Sequence, residues 1–150
     1  MDRAEYAAQL FLKGYNCAQA VAVAFSDLTG LTPELSAKMA SSFGGGMGRM
    51  REVCGAVSGM IMVLSEKFAT ADPNDHEKKK ALYSLIQQAA GDFKAENGSI
   101  ICRELLGIEE KISDPSPEKR TETYYKKRPC AELVYCAAQI AAKYLDNNDK

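Results

Sequence analysis

The sequence has little histidine, no long apolar run and no excess of either charge. Its one histidine, His76, excludes a histidine-rich metal site and a pair of catalytic histidines. The longest apolar runs, at residues 20–25 and 59–64, fall far short of the roughly 20 residues that span a bilayer, so membrane insertion is not expected. Nineteen Lys and Arg stand against twenty Asp and Glu, and this balance argues against nucleic acid as a partner.

Several short motifs with known chemistry are absent as well. No Cys-x-x-Cys pair is present to support a thioredoxin-like dithiol or a usual zinc site. Cys-x-x-Cys-His, the attachment site of covalent haem, is missing too. Without Gly-x-Ser-x-Gly, nothing supports a serine hydrolase. β-Branched residues are sparse and never alternate over a long stretch, so the pattern does not favour strands.

Apolar residues at helical spacing predict an all-α fold, a single-domain bundle of six or seven helices over residues 1–150. Asn16 is a good N-cap for a helix from Cys17 to about Leu28. Thr32, with a proline after it, starts a helix that runs to about Phe43. The other predicted helices cover residues 4–12, 53–68, 72–97, 99–107 and 129–145. A surface connection is expected over residues 108–127, and a polar tail from about residue 146 to residue 150.

The cysteines are the most informative residues for chemistry. They are Cys17, Cys54, Cys102, Cys130 and Cys136. Their odd number and wide scatter, with no export signal at the start, predict reduced thiols in a cytoplasmic protein rather than a disulfide scaffold. The first four fall near predicted helix N-termini, where unpaired N–H groups and the helix dipole stabilise a thiolate. The last one lies inside the final helix and is expected to be a core or interface cysteine.

Basic residues adjoin three of these cysteines in the sequence. They are Arg51, Arg103 and the run Lys126-Lys127-Arg128. Their charge would offset the negative charge of several thiolates gathered at one place.

A glycine-rich segment, Gly44-Gly45-Gly46-Met47-Gly48, precedes Cys54 and cannot belong to a stable helix interior. Its N–H groups could cradle a phosphate, although its spacing fits neither the dinucleotide fingerprint nor a P-loop. Together with Gly55, it could instead let the backbone approach a buried centre and donate N–H groups to sulfurs. A flexible loop is the third interpretation. Small residues at 55, 56 and 59 suit either a cofactor or close helix packing.

Four motifs in this order carry a resemblance. They are Gly14-Tyr15-Asn16-Cys17-Ala18-Gln19-Ala20, Phe43-Gly44-Gly45-Gly46-Met47-Gly48, Cys54-Gly55-Ala56-Val57-Ser58-Gly59, and Cys102 followed by Cys130. Over residues 4 to about 145 the chain resembles the C_GCAxxG_C_C family, small redox-active proteins named for their cysteine pattern. The resemblance implies a domain of that type with a redox-active site of four cysteines. It implies a class of protein rather than a reaction, and it leaves Cys136 outside the pattern.

Three functions are compatible with four pattern cysteines. In the first, an iron–sulfur cluster or a metal sits between helix N-termini and transfers electrons. Zinc fits less well, because its ligands usually come in closely spaced cysteine pairs. In the second, the protein is a metal-free thiol–disulfide oxidoreductase without a cofactor. In the third, the cysteines only pack inside a structural helical module. The residues expected at a cofactor are Cys17, Cys54, Cys102 and Cys130 as ligands, with Gly45, Gly46 and Gly55 beside them.

Two kinds of partner are further expectations. A redox centre requires a redox partner protein that supplies or accepts electrons. A homo-oligomer is the second expectation, because the last helix is apolar on more than one face, with Tyr135, Cys136 and Ile140 as candidates for the partner surface.

Overall fold

A computed structural model describes residues 1–108, 114–122, 124 and 128–148. Its helices are α1 (Arg3–Leu12), α2 (Cys17–Ala24), α3 (Ser26–Thr29), α4 (Pro33–Ala40), α5 (Gly44–Met47), α6 (Gly55–Phe68), α7 (His76–Asn97), α8 (Cys102–Leu106) and α9 (Cys130–Asn148). Within the described ranges six of these have eight residues or more, and extended pairing is limited to one bridge between Val53 and Ile101. The all-α prediction is confirmed.

Side-chain caps start the two helices that the sequence located best. The Asn16 side chain accepts a hydrogen bond from the Gln19 N–H at 2.9 Å, and the Gln19 side chain accepts one from the Asn16 N–H at 3.0 Å. This reciprocal capping box satisfies two N–H groups that a helix start otherwise leaves unpaired. Thr32 caps α4 by accepting from the Leu35 N–H at 3.1 Å. Both predicted starts are confirmed.

Three predicted helix ends are wrong. The second helix was expected to reach Leu28, but α2 ends at Ala24 because the buried Phe25 leaves helical geometry (φ −110°, ψ 11°). The single turn of α3 follows it. The next helix ends at Ala40, and a 3₁₀ turn covers the last residues up to Phe43. At the C-terminus α9 continues to Asn148, so the polar tail is helical over its first three residues, and residues 149–150 lie outside the described part.

The long helix α7 begins later than predicted. A start at Asp72 was expected, but the Asp72 carboxylate accepts a hydrogen bond from the Asn74 N–H at 2.9 Å and closes a local turn. Asp75 is the residue that caps the helix, by accepting from the Lys78 N–H at 3.1 Å. His76 is the first helical residue and is exposed, as expected.

The core lies where α2, α6 and α9 meet. Small residues permit this packing: a Cβ added at Gly59 of α6 would stand 2.7 Å from the Ala18 carbonyl oxygen of α2. The largest fully buried side chains are Phe11, Phe25, Phe93, Met60 and Leu64. Burying each such side chain contributes roughly 1.5–3 kcal/mol to folding. No helix among the described residues has both the length and the apolarity that a membrane crossing requires.

The face of α9 proposed for a partner is largely used inside the chain. Ile140 is 5% exposed and Cys136 is 8% exposed. Tyr135 is partly buried and packs against the same core. Cys136 and Ile140 are therefore wrong as candidates for a partner surface, because the chain's own helices cover them, whereas Tyr135 and the homo-oligomer stay predictions.

Candidate functional site

The four pattern cysteines line one cavity of about 70 Å³. Each stands at the start of a helix. Cys17, Cys102 and Cys130 are the first residues of α2, α8 and α9, and Cys54 is the N-cap of α6. The predicted placement of these cysteines at helix N-termini is confirmed. Four segments that are distant in sequence therefore present their thiols to one space.

A short backbone pairing holds two of the thiols side by side. The Cys54 N–H donates to the Ile100 carbonyl at 2.8 Å, and the Cys102 N–H donates to the Glu52 carbonyl at 2.6 Å. These bonds flank the bridge between Val53 and Ile101. The segment that follows the glycine loop (residues 44–48) is thus fixed against the segment that begins α8.

The glycine loop is held by its own backbone. Gly45 and Gly46 have left-handed φ values of 67° and 71°, which glycine adopts without strain. Because these two residues are not helical, α5 is an irregular turn and not a regular helix. Their carbonyl groups accept hydrogen bonds from the N–H groups of Arg51 at 3.2 Å and Glu52 at 2.9 Å. This pattern of backbone hydrogen bonds ties the glycine loop to the residues that follow it.

Two glycines bring the backbone close to thiol side chains. A Cβ at Gly46 would stand 2.6 Å from the Cys102 Cβ. One at Gly55 would stand 3.1 Å from the Cys17 Cβ and 2.9 Å from the Phe43 carbonyl oxygen. Both glycines line the cavity, as does Gly45. The backbone thus approaches two cysteine side chains at these glycines, whereas Gly59 serves helix packing. Donation of their N–H groups to sulfurs stays a prediction.

A comparison with protein families bears on this site. The family model described as "Putative redox-active protein (C_GCAxxG_C_C)" matches residues 15–144, a stretch that contains all four cavity cysteines. The chain belongs to this family. No curated protein and no solved structure matches it. Membership in the C_GCAxxG_C_C family places the chain among redox-active proteins and specifies neither a cofactor nor a reaction.

Two of the C_GCAxxG_C_C cysteines, Cys17 and Cys130, influence each other's ionisation. The neighbouring Cys17 thiol, together with the charges of Arg128, Arg120 and Arg51, lowers the pKa of Cys130 from its ordinary value. The interaction with Cys130, together with burial, raises the pKa of Cys17 well above its ordinary value. These opposite directions favour a thiolate at Cys130 beside a protonated Cys17.

The other two thiols are held in the protonated form. Burial raises the pKa of Cys54 to about 12, although its sulfur accepts hydrogen bonds from the N–H groups of Val57 and Ala56. Burial also raises the pKa of Cys102, although Arg51 Nη1 stands 3.8 Å from its sulfur. The expectation that a helix start favours the thiolate is therefore wrong for three of the four cysteines, because desolvation outweighs the N–H groups and the dipole.

The side-chain geometry bears on metal ligation. Among the described residues, no three His, Cys, Asp or Glu side chains gather closely enough to hold one metal ion. An iron–sulfur cluster has several irons, each with its own thiolate ligand, so its ligands need not converge on one point. Four cysteine thiols are the number of ligands that such a cluster takes, and here four of them line one cavity with three arginines.

The cavity has basic and aromatic residues that the sequence analysis did not identify. Arg120 and Tyr124 line it, although both lie in the stretch predicted to be a surface connection. Arg120 donates to the carbonyl groups of Phe11 at 2.7 Å and Tyr15 at 2.8 Å, and its guanidinium lies 4.2 Å from the Phe11 ring centre. Nothing in a charged, non-periodic segment indicates that one of its arginines reaches a buried site.

The basic residues that adjoin cysteines in the sequence do not all lie at the cavity. Arg51 and Arg128 line the cavity. Arg103 instead pairs with the Glu52 carboxylate at 3.1 Å and does not face the thiols. Lys126 and Lys127 lie outside the described residues.

The fifth cysteine is separate from this site. Cys136 is buried in the core, as predicted for a core cysteine, and it does not line the cavity. Its sulfur stands 2.9 Å from the Glu96 carboxylate and 3.4 Å from the Asn97 amide nitrogen. These contacts place it against the end of α7.

Proposed function

We propose that the chain is a thiol–disulfide oxidoreductase in which Cys130 is the nucleophile and Cys17 is the second thiol. The observation that carries this proposal is that Cys17 and Cys130, at the starts of α2 and α9, line one cavity. The lowered pKa of Cys130 supports its role as the nucleophile. Three arginines in the same wall supply positive charge, which stabilises a thiolate, the form that attacks disulfides. The location in a reducing, cytoplasmic compartment is part of the proposal.

The reaction is a two-step exchange with a low-molecular-weight disulfide. The Cys130 thiolate attacks one sulfur, the substrate S–S bond breaks, and one substrate thiolate leaves. Cys17 then loses its proton and attacks the Cys130 sulfur, and the second substrate thiolate leaves. The pair of protein sulfurs is oxidised to a disulfide, and one substrate disulfide is reduced to two thiols, which take up the Cys17 proton and one proton from the solvent. A dithiol redox partner would reverse the protein's half of this reaction.

An iron–sulfur cluster for electron transfer is the second candidate function. It is favoured by one specific observation, that all four thiols line the same cavity. Cys17, Cys54, Cys102 and Cys130 would hold the cluster, and the cluster would supply one-electron chemistry. The arginines of the wall would then offset the charge of the bound thiolates. In this case any single Cys→Ala change among the four removes the cluster, and Cys136→Ala does not.

Disulfide mapping tests the first candidate. The reduced protein is treated with 2-hydroxyethyl disulfide, a neutral reagent, and digested peptides are identified by mass spectrometry. We expect a bond between Cys17 and Cys130, while Cys54 and Cys102 remain free thiols. Cys17→Ser should stop the reaction at a mixed disulfide on Cys130, and Cys136→Ser, outside the cavity, should react like the unmodified chain. A mixed disulfide trapped on another cysteine would overturn the assigned roles.

An anaerobic spectrum of freshly purified protein decides between the candidates. Iron, sulfide and zinc are assayed on the same sample. Broad visible absorbance with iron and sulfide in matched amounts would establish the cluster and reject the metal-free mechanism. A colourless, metal-free protein that forms the Cys17–Cys130 disulfide would establish the exchange mechanism.

A further inference from the structure

A second cavity, which we call the arginine cleft, lies beside the thiol cavity. Its volume is about 380 Å³, within the range of small-molecule sites. The two cavities share part of their walls. The shared residues are Asn16, Gly45, Arg51, Arg120, Tyr124 and Arg128. A molecule in the cleft is therefore next to the thiols.

The cleft carries a large excess of positive charge. Among the described residues that line it, four are arginines, at positions 49, 51, 120 and 128, and one is a carboxylate, Glu118. Four positive charges less one negative charge leave a net charge of +3 around a small space. Low-dielectric walls focus such a field and concentrate anions at the site.

The arginines are held in place by the surrounding structure. Arg120 is fixed by two backbone carbonyls and by the Phe11 ring. Glu118 is shared, because its carboxylate pairs with Arg49 at 3.6 Å and also with Arg128. Guanidinium groups that are already positioned lose little entropy when they bind a carboxylate.

One buried donor in the cleft has no partner. The Arg49 Nε is buried and makes no hydrogen bond within the described structure. A buried donor left without a partner costs roughly 1–3 kcal/mol, and an anion in the cleft could accept its hydrogen bond. Arg49 lines the cleft but not the thiol cavity, so its effect on a ligand can be tested separately from the thiols.

We propose that the arginine cleft binds the carboxylate of a small anionic disulfide and so selects the substrate that reacts with the thiols. This inference rests on the proposed exchange function. Carboxylate is the group that a guanidinium binds through two parallel hydrogen bonds, and four arginines line the cleft. Neutral and cationic disulfides lack this interaction, and cationic ones are repelled.

Three disulfides of similar size test the proposal: 3,3′-dithiodipropionate with two negative charges, 2-hydroxyethyl disulfide with none, and cystamine with two positive charges. The measured quantity is the rate of Cys17–Cys130 disulfide formation, divided by the rate of each reagent with 2-mercaptoethanol. We expect the normalised rate of the dianion to exceed that of cystamine by about tenfold or more at low salt. The ratio of these two rates should fall as the salt concentration rises. Arg49→Gln should lower the ratio of dianion to neutral reagent. Arg103→Gln, a matched change outside the cleft, should leave it unaltered.

The outcomes separate the two proposals. If no reagent produces the Cys17–Cys130 disulfide, the exchange function fails. If all three react at equal normalised rates, the exchange function stands and the selection by the cleft is overturned. Calorimetric titration with suberate, a dicarboxylate of matching length without sulfur, tests binding alone. Binding that Arg49→Gln weakens supports the cleft, and no binding overturns it.

Discussion

Replacement of Gly46 by alanine tests whether the close approach of the glycine loop to Cys102 is part of the folded structure. Gly48, in the same loop, provides a matched control. Its φ of 61° is also left-handed, but an added Cβ would stand 4.0 Å from the Ser42 carbonyl oxygen, an ordinary contact distance. At Gly46, with φ 71°, the added Cβ would meet the Cys102 Cβ at 2.6 Å and the Glu52 nitrogen at 2.7 Å. The two variants share the backbone strain, and only the first adds a collision.

The expected free energies of unfolding follow from these contacts. A left-handed backbone costs alanine roughly 1–2 kcal/mol, which is the whole loss expected for Gly48→Ala. Overpacking adds about 1–3 kcal/mol, so Gly46→Ala should lose about 2–5 kcal/mol in total. Urea denaturation followed by circular dichroism measures both losses, provided that the slope against urea is unchanged. Equal losses in the two variants would refute the close packing of the loop on Cys102.

Three other predictions concern helix packing and thiol ionisation. In urea denaturation, the Gly59→Ala variant should be less stable than the Gly91→Ala variant by about 1–3 kcal/mol. Both changes raise helix propensity, but only the alanine at position 59 collides with a neighbouring helix. Equal free energies of unfolding would contradict this packing. The rate of Cys130 alkylation by iodoacetamide, mapped by mass spectrometry over a range of pH, should have its pH midpoint below that of a free thiol. Arg128→Gln should raise this pH midpoint, and an unchanged value would reject the charge effect. Burial raises the pKa of Cys136 to about 11 from 9.0, so its contribution to stability is complete below about pH 9 and is lost as the pH rises towards 11. Cys136→Ala should remove that part of the pH dependence of the unfolding free energy.

Local chemistry made much of the fold predictable. The caps at Asn16 and Thr32 are recognisable because they act within three residues, and both helix starts are where the sequence places them. The start of α7 was misplaced because two aspartates compete, and only the backbone decides which of them caps the helix. Helix ends that depend on burial, such as the break at Phe25, have no local signal.

The candidate site was predictable in its cysteines and in two of its arginines, Arg51 and Arg128, but not in Arg120. The four cysteines and the glycine loop were recognisable because they lie in short contiguous motifs, whereas the meeting of the four thiols at one cavity depends on tertiary packing. Arg120 reaches the site from a segment without periodicity, so its contribution depends on tertiary packing alone. The protonation states followed burial rather than helix position, and burial of a thiol at a helix start cannot be read from its neighbours in sequence.

The bridge between Val53 and Ile101 has a consequence for the order of folding. It joins residues 48 positions apart, and closing a chain segment of that length costs on the order of 3 kcal/mol of entropy. Cys17 and Cys130 are further apart still along the chain. The site therefore assembles only after long-range docking is complete, and a nascent chain offers separate, unpaired thiols instead of a preformed centre. Oxidation before that point should give mixed pairings, so correct redox chemistry depends on keeping the thiols reduced until folding ends.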